Sequence, residues 1–182
     1  QGLLVGFAAA GAYWPGVSNY VGVSGHWPNS IGDEANTGVF YGNSKIRTGN
    51  ITDGLSTTFM IGERDTKWCR SGAWVGIRNP MGTGTRGLEV ATAHSRAKVN
   101  EATATWDFSP LGCGEGISSL HPGGAQVAAC DGAVRFVSET IDHNHINGAK
   151  TMPNRDAKLQ DPRNGTYQRL MSRNDTLQVA IP

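Results

Sequence analysis

Residues 125–137, AQVAACDGAVRFV, constrain the fold of this chain more than any other stretch. Two runs of small and β-branched residues flank Asp131-Gly132. That dipeptide suits a type I′ hairpin turn, in which both central residues need positive φ. A two-residue loop would set Cys130 opposite Ala133, Ala129 opposite Val134, Ala128 opposite Arg135, Val127 opposite Phe136 and Gln126 opposite Val137. Side chains alternate between the two faces of a strand. The expected core face is therefore Val127, Ala129, Val134 and Phe136, and the partly exposed face is Gln126, Ala128 and Arg135, with Cys130 nearer the turn.

His121 lies just ahead of this hairpin, behind Pro122-Gly123-Gly124. Six strand residues span about 20 Å, so His121 and Asp131 are expected at opposite ends of the first strand. At that separation they do not share a metal. His121 reads as a loop residue hydrogen-bonded at the base of the hairpin, and Asp131 as part of the turn.

The rest of the chain supports short strands and loops. Gly 25 and Pro 8 of 182 residues are many, and charged residues make up 17% against about 25% in average usage. This length predicts one globular domain over residues 1–182. The net charge of +1 comes with no basic run, which argues against nucleic acid as a partner. Strands are expected at residues 18–23, 38–42, 57–63 and 72–77. Short helices are expected within 89–99, 138–148 and 164–175, the last with Tyr167, Leu170 and Met171 on one helical face. Together these predict an α+β fold, with an antiparallel sheet, long loops and short helices.

Cys69, Cys113 and Cys130 show no CxxC spacing, so a zinc knuckle has no support. If one bridge forms, Cys69 is expected to pair with Cys113, since both sit in polar loop sequence, leaving Cys130 as a buried thiol. The apolar start, residues 1–12, falls short of the roughly 20 residues a membrane helix needs, and it lacks the basic beginning of a signal peptide.

HPGGAQVAACDGAVRF, with ITDGLSTTFMIGER upstream, resembles the H-x9-DG family of prepilin-like proteins abundant in planctomycetes. That family is of unassigned function and carries a solute-binding label. SNYVGVSG near the start and YQRLMSRND near the end are similar to it as well. The family positions are Asp53, Gly54, Glu63, His121, Gly123, Gly124, Asp131 and Gly132, with Thr57 where Asn is usual. The resemblance implies a pilin-like or pseudopilin-like head at the cell surface, outside the cell or in the periplasm. It also implies an N-terminal prepilin helix that would provide any membrane anchoring and is absent from this chain, so the chain reads either as the C-terminal globular part or as a member that has lost the helix.

Other motifs compete with that reading. Asp142, His143 and His145 in DHNH are candidate metal ligands, because HxH spacing puts two imidazoles on one side of a strand. Calcium, which pseudopilin-like heads can hold in C-terminal loops, would find Asp142, Asn144, Asp156 and Asp161. Residues 82–87, GTGTRG, match a dinucleotide fingerprint without the surrounding strand and helix, and Ser95 to Lys98 match SxxK without its partner motifs. His26 and His94 need no special role. Trp14, Trp27, Trp68, Trp74 and Trp106, with Tyr13, Tyr20 and Tyr41, suit either core packing or a sugar-stacking surface. The expected function is that of a non-enzymatic extracellular structural protein, a pilin-like or surface-assembly subunit that associates with itself or with other envelope subunits. The alternative is a glycan or small-molecule binding module using Trp27 and Trp74. A metal hydrolase using His143 and His145 is a third reading.

Overall fold

The β-branched and small-residue runs pair into one five-stranded sheet. Its strands are β1 (Tyr20–Gly25), β2 (Phe59–Glu63), β3 (Thr92–His94), β4 (Gly124–Ala129) and β5 (Val134–Ser138), in the spatial order β3-β1-β2-β4-β5. The computed structural model describes residues 17–26, 36–67, 69, 91–101, 116–144, 161–177 and 179. A 3-10 turn at Leu55–Thr57 leads into β2, and a short helix, α1 (Thr166–Leu170), lies late in the chain. This is a mixed sheet with few short helices, an α+β arrangement. No helix among the described residues is long and apolar enough to cross a membrane.

One face of the sheet forms the core. Val21, Val23, Phe59, Ala93, Ala125, Val127 and Val137 meet Val99, Ile117, Tyr167, Leu170 and Met171, all at most 3% exposed. Each fully buried Val, Leu or Phe contributes about 1.5–3 kcal/mol, so this face carries most of the folding energy. At five residues, α1 is too short to persist alone. It is held by Asp142, whose Oδ2 accepts from Thr166 N at 3.0 Å and whose carbonyl accepts from Tyr167 N at 3.0 Å. Gln168 Nε2 adds a buried bond to the Ser95 carbonyl at 2.7 Å. The helix falls where its sequence predicts, and Tyr167, Leu170 and Met171 are fully buried as their spacing requires.

The hairpin differs from expectation by one residue. Gln126 pairs with Phe136, Val127 with Arg135, Ala128 with Val134 and Ala125 with Val137. Ala129 N donates to Ala133 O and Gly132 N to Ala129 O, so the loop holds three residues, with Gly132 at φ 88°. A left-handed glycine closing a three-residue turn is the alternative to the type I′ loop, and Asp131 Oδ1 supports it by accepting from Ala133 N at 2.9 Å. A one-residue slip reverses the faces of the second strand. Val137 is therefore in the core, while Val134 and Phe136, expected inside, are 69% and 47% exposed.

Four further expectations change. The sheet is not wholly antiparallel, because β3 joins β1 in parallel. Residues 92–94, expected in a helix, form β3: pairing with β1 and a Ser24 Oγ bond to the Ala93 carbonyl outweigh local helix preference. Residues 38–42 are not a strand, although the amides of Gly38, Val39 and Phe40 all bond to β1 carbonyls. Where a helix is expected from residue 138, Ser138 ends β5 and residues 139–144 form no helix, while the strand expected at 72–77 lies outside the described residues.

Gly124 shows how tightly β4 and β5 approach, since a Cβ there would lie 2.1 Å from the Val137 carbonyl oxygen. Gly124→Ala is expected to destabilise the fold by about 1–3 kcal/mol. The control Gly49→Ala, with nothing within 4 Å of its Cβ position, should stay within about 0.5 kcal/mol. Urea midpoints of the two variants check this.

Candidate functional site

The two motifs singled out in the sequence run along neighbouring antiparallel strands. Asp53 to Glu63 leads through β2, His121 to Asp131 leads through β4, and β2 pairs with β4. Antiparallel pairing brings the start of each motif to the end of the other. At one end Asp131 N donates to the Leu55 carbonyl at 3.1 Å and Cys130 N to Thr58 O at 2.9 Å. At the other end Glu63 meets His121. His121 and Asp131 lie at opposite ends of β4, as the strand length requires.

At the first end the side chains serve the main chain. Asp53 Oδ2 accepts from Asp175 N at 2.5 Å and Oδ1 from Thr176 N at 3.0 Å. Thr57 Oγ1 donates to the carbonyls of Asp53 and Gly54, and Thr58 Oγ1 donates to Gly54 O. Gly54 and Gly123 hold φ of 102° and 83°. Asp175 is buried, and burial, with Asp53 beside it, pushes its carboxyl up to about 7.

The second end is open. Glu63, Tyr20, Asn19, Lys67, Ser119 and His121 contribute to the lining of a cleft of about 320 Å³. Glu63 Oε2 accepts from Gln126 N at 2.8 Å, continuing the β2–β4 ladder past its last main-chain pair. Its Oε1 lies 3.7 Å from His121 Nε2, with the imidazole 60% exposed and the carboxylate 15%. That distance makes an ion pair only when the imidazole is protonated and is too long for a hydrogen bond. The nearby hydroxyls are engaged: Ser118 Oγ donates to Cys69 Sγ and accepts from Asp65 N, and Ser119 Oγ accepts from His121 N. A second cleft, about 350 Å³ and mostly apolar, lies on the other side of Tyr20 against Phe40, Tyr41, Ile61 and Ala91.

The other candidates fall elsewhere. His143 Nε2 bonds the Ser95 carbonyl at 3.0 Å, and its ring lies 5.9 Å from that of Tyr167. Asp142 holds α1, Asn144 Nδ2 donates to Arg163 O, and Asp161 takes the Arg163 guanidinium through both oxygens. That pair holds the Asp161 carboxyl down at about 2. His145 and Asp156 lie outside the described residues, as do residues 82–87 and all five Trp. Among the described residues, no group of three His, Cys, Asp or Glu could hold a metal ion. Cys69 is in a disulfide, Cys113 lies outside the described residues, and Cys130 is a free, half-buried thiol raised to about 11 by burial and by Asp131.

Several buried polar residues carried no sequence signal. Arg64 is 1% exposed, its Nε and one terminal nitrogen donating to Gly116 O and that nitrogen also to Thr92 O. It ties the end of β2 to β3. His26 and His94, which stand in polar stretches of the sequence and need no special role there, are fully buried where β1 and β3 end. Only packing, not local pattern, could reveal these.

Glu63→Ala should cost about 1–3 kcal/mol by leaving the Gln126 amide without its acceptor. Glu63→Gln, which keeps an oxygen there, should cost less than half as much. His121→Ala should stay within about 0.5 kcal/mol, given its exposure. Thermal melts of the three variants at one pH check the order.

No curated protein and no solved structure matches this chain. The model of a family described as protein of unknown function (DUF1559) matches residues 8–144, a span that takes in all five strands and stops before α1. On that match the chain belongs to the DUF1559 family of proteins of unknown function.

Proposed function

We propose that this chain is a non-enzymatic structural protein, the globular head of a pilin-like or surface-assembly subunit working outside the cell. The observation that carries the reading is how the motif side chains are used. Asp53, Glu63 and Asp131 each accept bonds from main-chain amides, which positions strands and segments rather than reacting atoms. Large apolar groups, meanwhile, stay on the surface: Tyr20, Leu120, Val134 and Phe136 are 47% to 69% exposed. Exposed apolar groups of this size favour association. The prepilin-like resemblance of the two motifs points the same way, and self-association or contact with other envelope subunits follows from it.

A ligand-binding module is the second reading, favoured by the two clefts that share Tyr20 as a wall. One is polar at Glu63 and His121 and the other is apolar, a combination that suits a glycan or small molecule with a polar and an apolar side. The expected aromatic site at Trp27 and Trp74 lies outside the described residues, so Tyr20 is the residue to test.

Sedimentation velocity over a hundredfold concentration range tests the assembly reading, with electron microscopy of surface material sheared from native cells. Concentration-dependent association that Val134→Ser/Phe136→Ser abolishes, without loss of fold by circular dichroism, is the expected result. A protein that stays monomeric throughout and is absent from sheared assemblies would remove this reading. Binding in a glycan and small-molecule panel, lost on Tyr20→Ala, would then put the module reading first.

A further inference from the structure

Residues 172–177, which follow α1, are strapped across the molecule without belonging to the sheet. Arg173 N donates to Thr37 O, and the amides of Thr52 and Asp53 both donate to Arg173 O. Asp53 takes the amides of Asp175 and Thr176 through its two oxygens. Asp175 Oδ1 accepts from Leu177 N at 2.7 Å, and Asp175 is only 1% exposed. A buried carboxyl, that of Asp175, thus meets the half-buried carboxyl of Asp53 from a distant part of the sequence. We infer that this carboxyl pair makes residues 172–177 a pH-sensitive clasp, closed in acid and loosened as the pH approaches neutrality.

The charged groups around Asp175 set the direction. Asp53 faces it from the turn before β2 and disfavours its ionisation, while Arg169 faces it from α1 and favours it. The Arg169 guanidinium also donates to the carbonyls of Asn164 and Pro162. The Arg173 guanidinium, on the strap itself, points to the carbonyls of Asn36 and Gly38 and lies 5.7 Å over the Tyr41 ring. Burial is the largest influence and holds the Asp175 carboxyl at about 7 when the clasp is closed. A released strap returns it to about 3.9.

The closed form therefore keeps a proton that the open form gives up. Closure is strongest below about pH 4, weakens by up to tenfold per pH unit towards 7, and is level above that. Opening would free the Asp53 carboxylate and uncover the end of β2 against which the hairpin turn rests.

Amide hydrogen exchange at residues 175–177, corrected for intrinsic rates, tests the clasp between pH 4.5 and 8. The expected result is an opening constant that rises by about tenfold per unit up to pH 7 and then flattens, with no parallel change at Gly62 and Val127 in the sheet. Asp175→Asn keeps the acceptor for Leu177 and donates to Asp53 as the protonated acid does, so it should hold the low opening constant at every pH. Opening that tracks the sheet amides, or that is the same in the variant and the natural sequence, overturns the inference. Carbon-13 titration of the Asp175 carboxyl in the natural sequence is an independent check: an inflection near 7 supports the clasp and one near 4 refutes it.

Discussion

The pairing of β2 with β4 is the constraint on which the other parts depend. These are inner strands of the sheet, and their side chains Phe59, Val127 and Ala129 lie at 1% exposure or less. Their contact also has a termination problem at each end, because amides that face a neighbour no longer in register still need acceptors. At one end the carbonyls of Leu55 and Thr58 take the amides of Asp131 and Cys130. At the other the Glu63 carboxylate takes the amide of Gln126. The spacing between the motif residues is thus a measure of strand length: the polar groups mark where the ladder must be closed.

A second layer of order is polar and mostly buried. Arg64 reaches two carbonyls from different segments, Gln168 reaches Ser95, and Asp53 reaches residues 175 and 176. Removing such groups from water is unfavourable unless every bond is replaced, so each fixes the relative position of the segments it joins with little tolerance. A loop-rich domain with a modest core gains uniqueness this way, since wrong arrangements leave those groups without partners. The result is a sheet with one sealed face and one face that leaves Tyr20, Val134 and Phe136 in contact with solvent.

The hairpin shows where local reading stops. The turn residues, the strand positions and the separation of His121 from Asp131 are all legible in the sequence, because Asp-Gly and alternating small residues restrict the backbone directly. The register is not. A two-residue and a three-residue loop are both compatible with Asp131-Gly132, and a single step between them exchanges Phe136 for Val137 in the core. Residues 92–94 give the same lesson in another form, since their helical preference is weak beside a parallel partner supplied by β1.

What the sequence determined by itself was the local content: an α+β balance, a turn at residues 131–132, a helical face at Tyr167, Leu170 and Met171, and two motifs whose resemblance points to one family. These follow from φ preferences and side-chain periodicity, which act over a few residues. The tertiary structure decided which motif ends meet, which face Phe136 occupies, that Arg64, His26 and His94 are buried, and that Asp175 lies against Asp53. Those outcomes depend on contacts between residues as far apart in sequence as Asp53 and Asp175, and their energies exist only once desolvation and packing act on the whole sheet together.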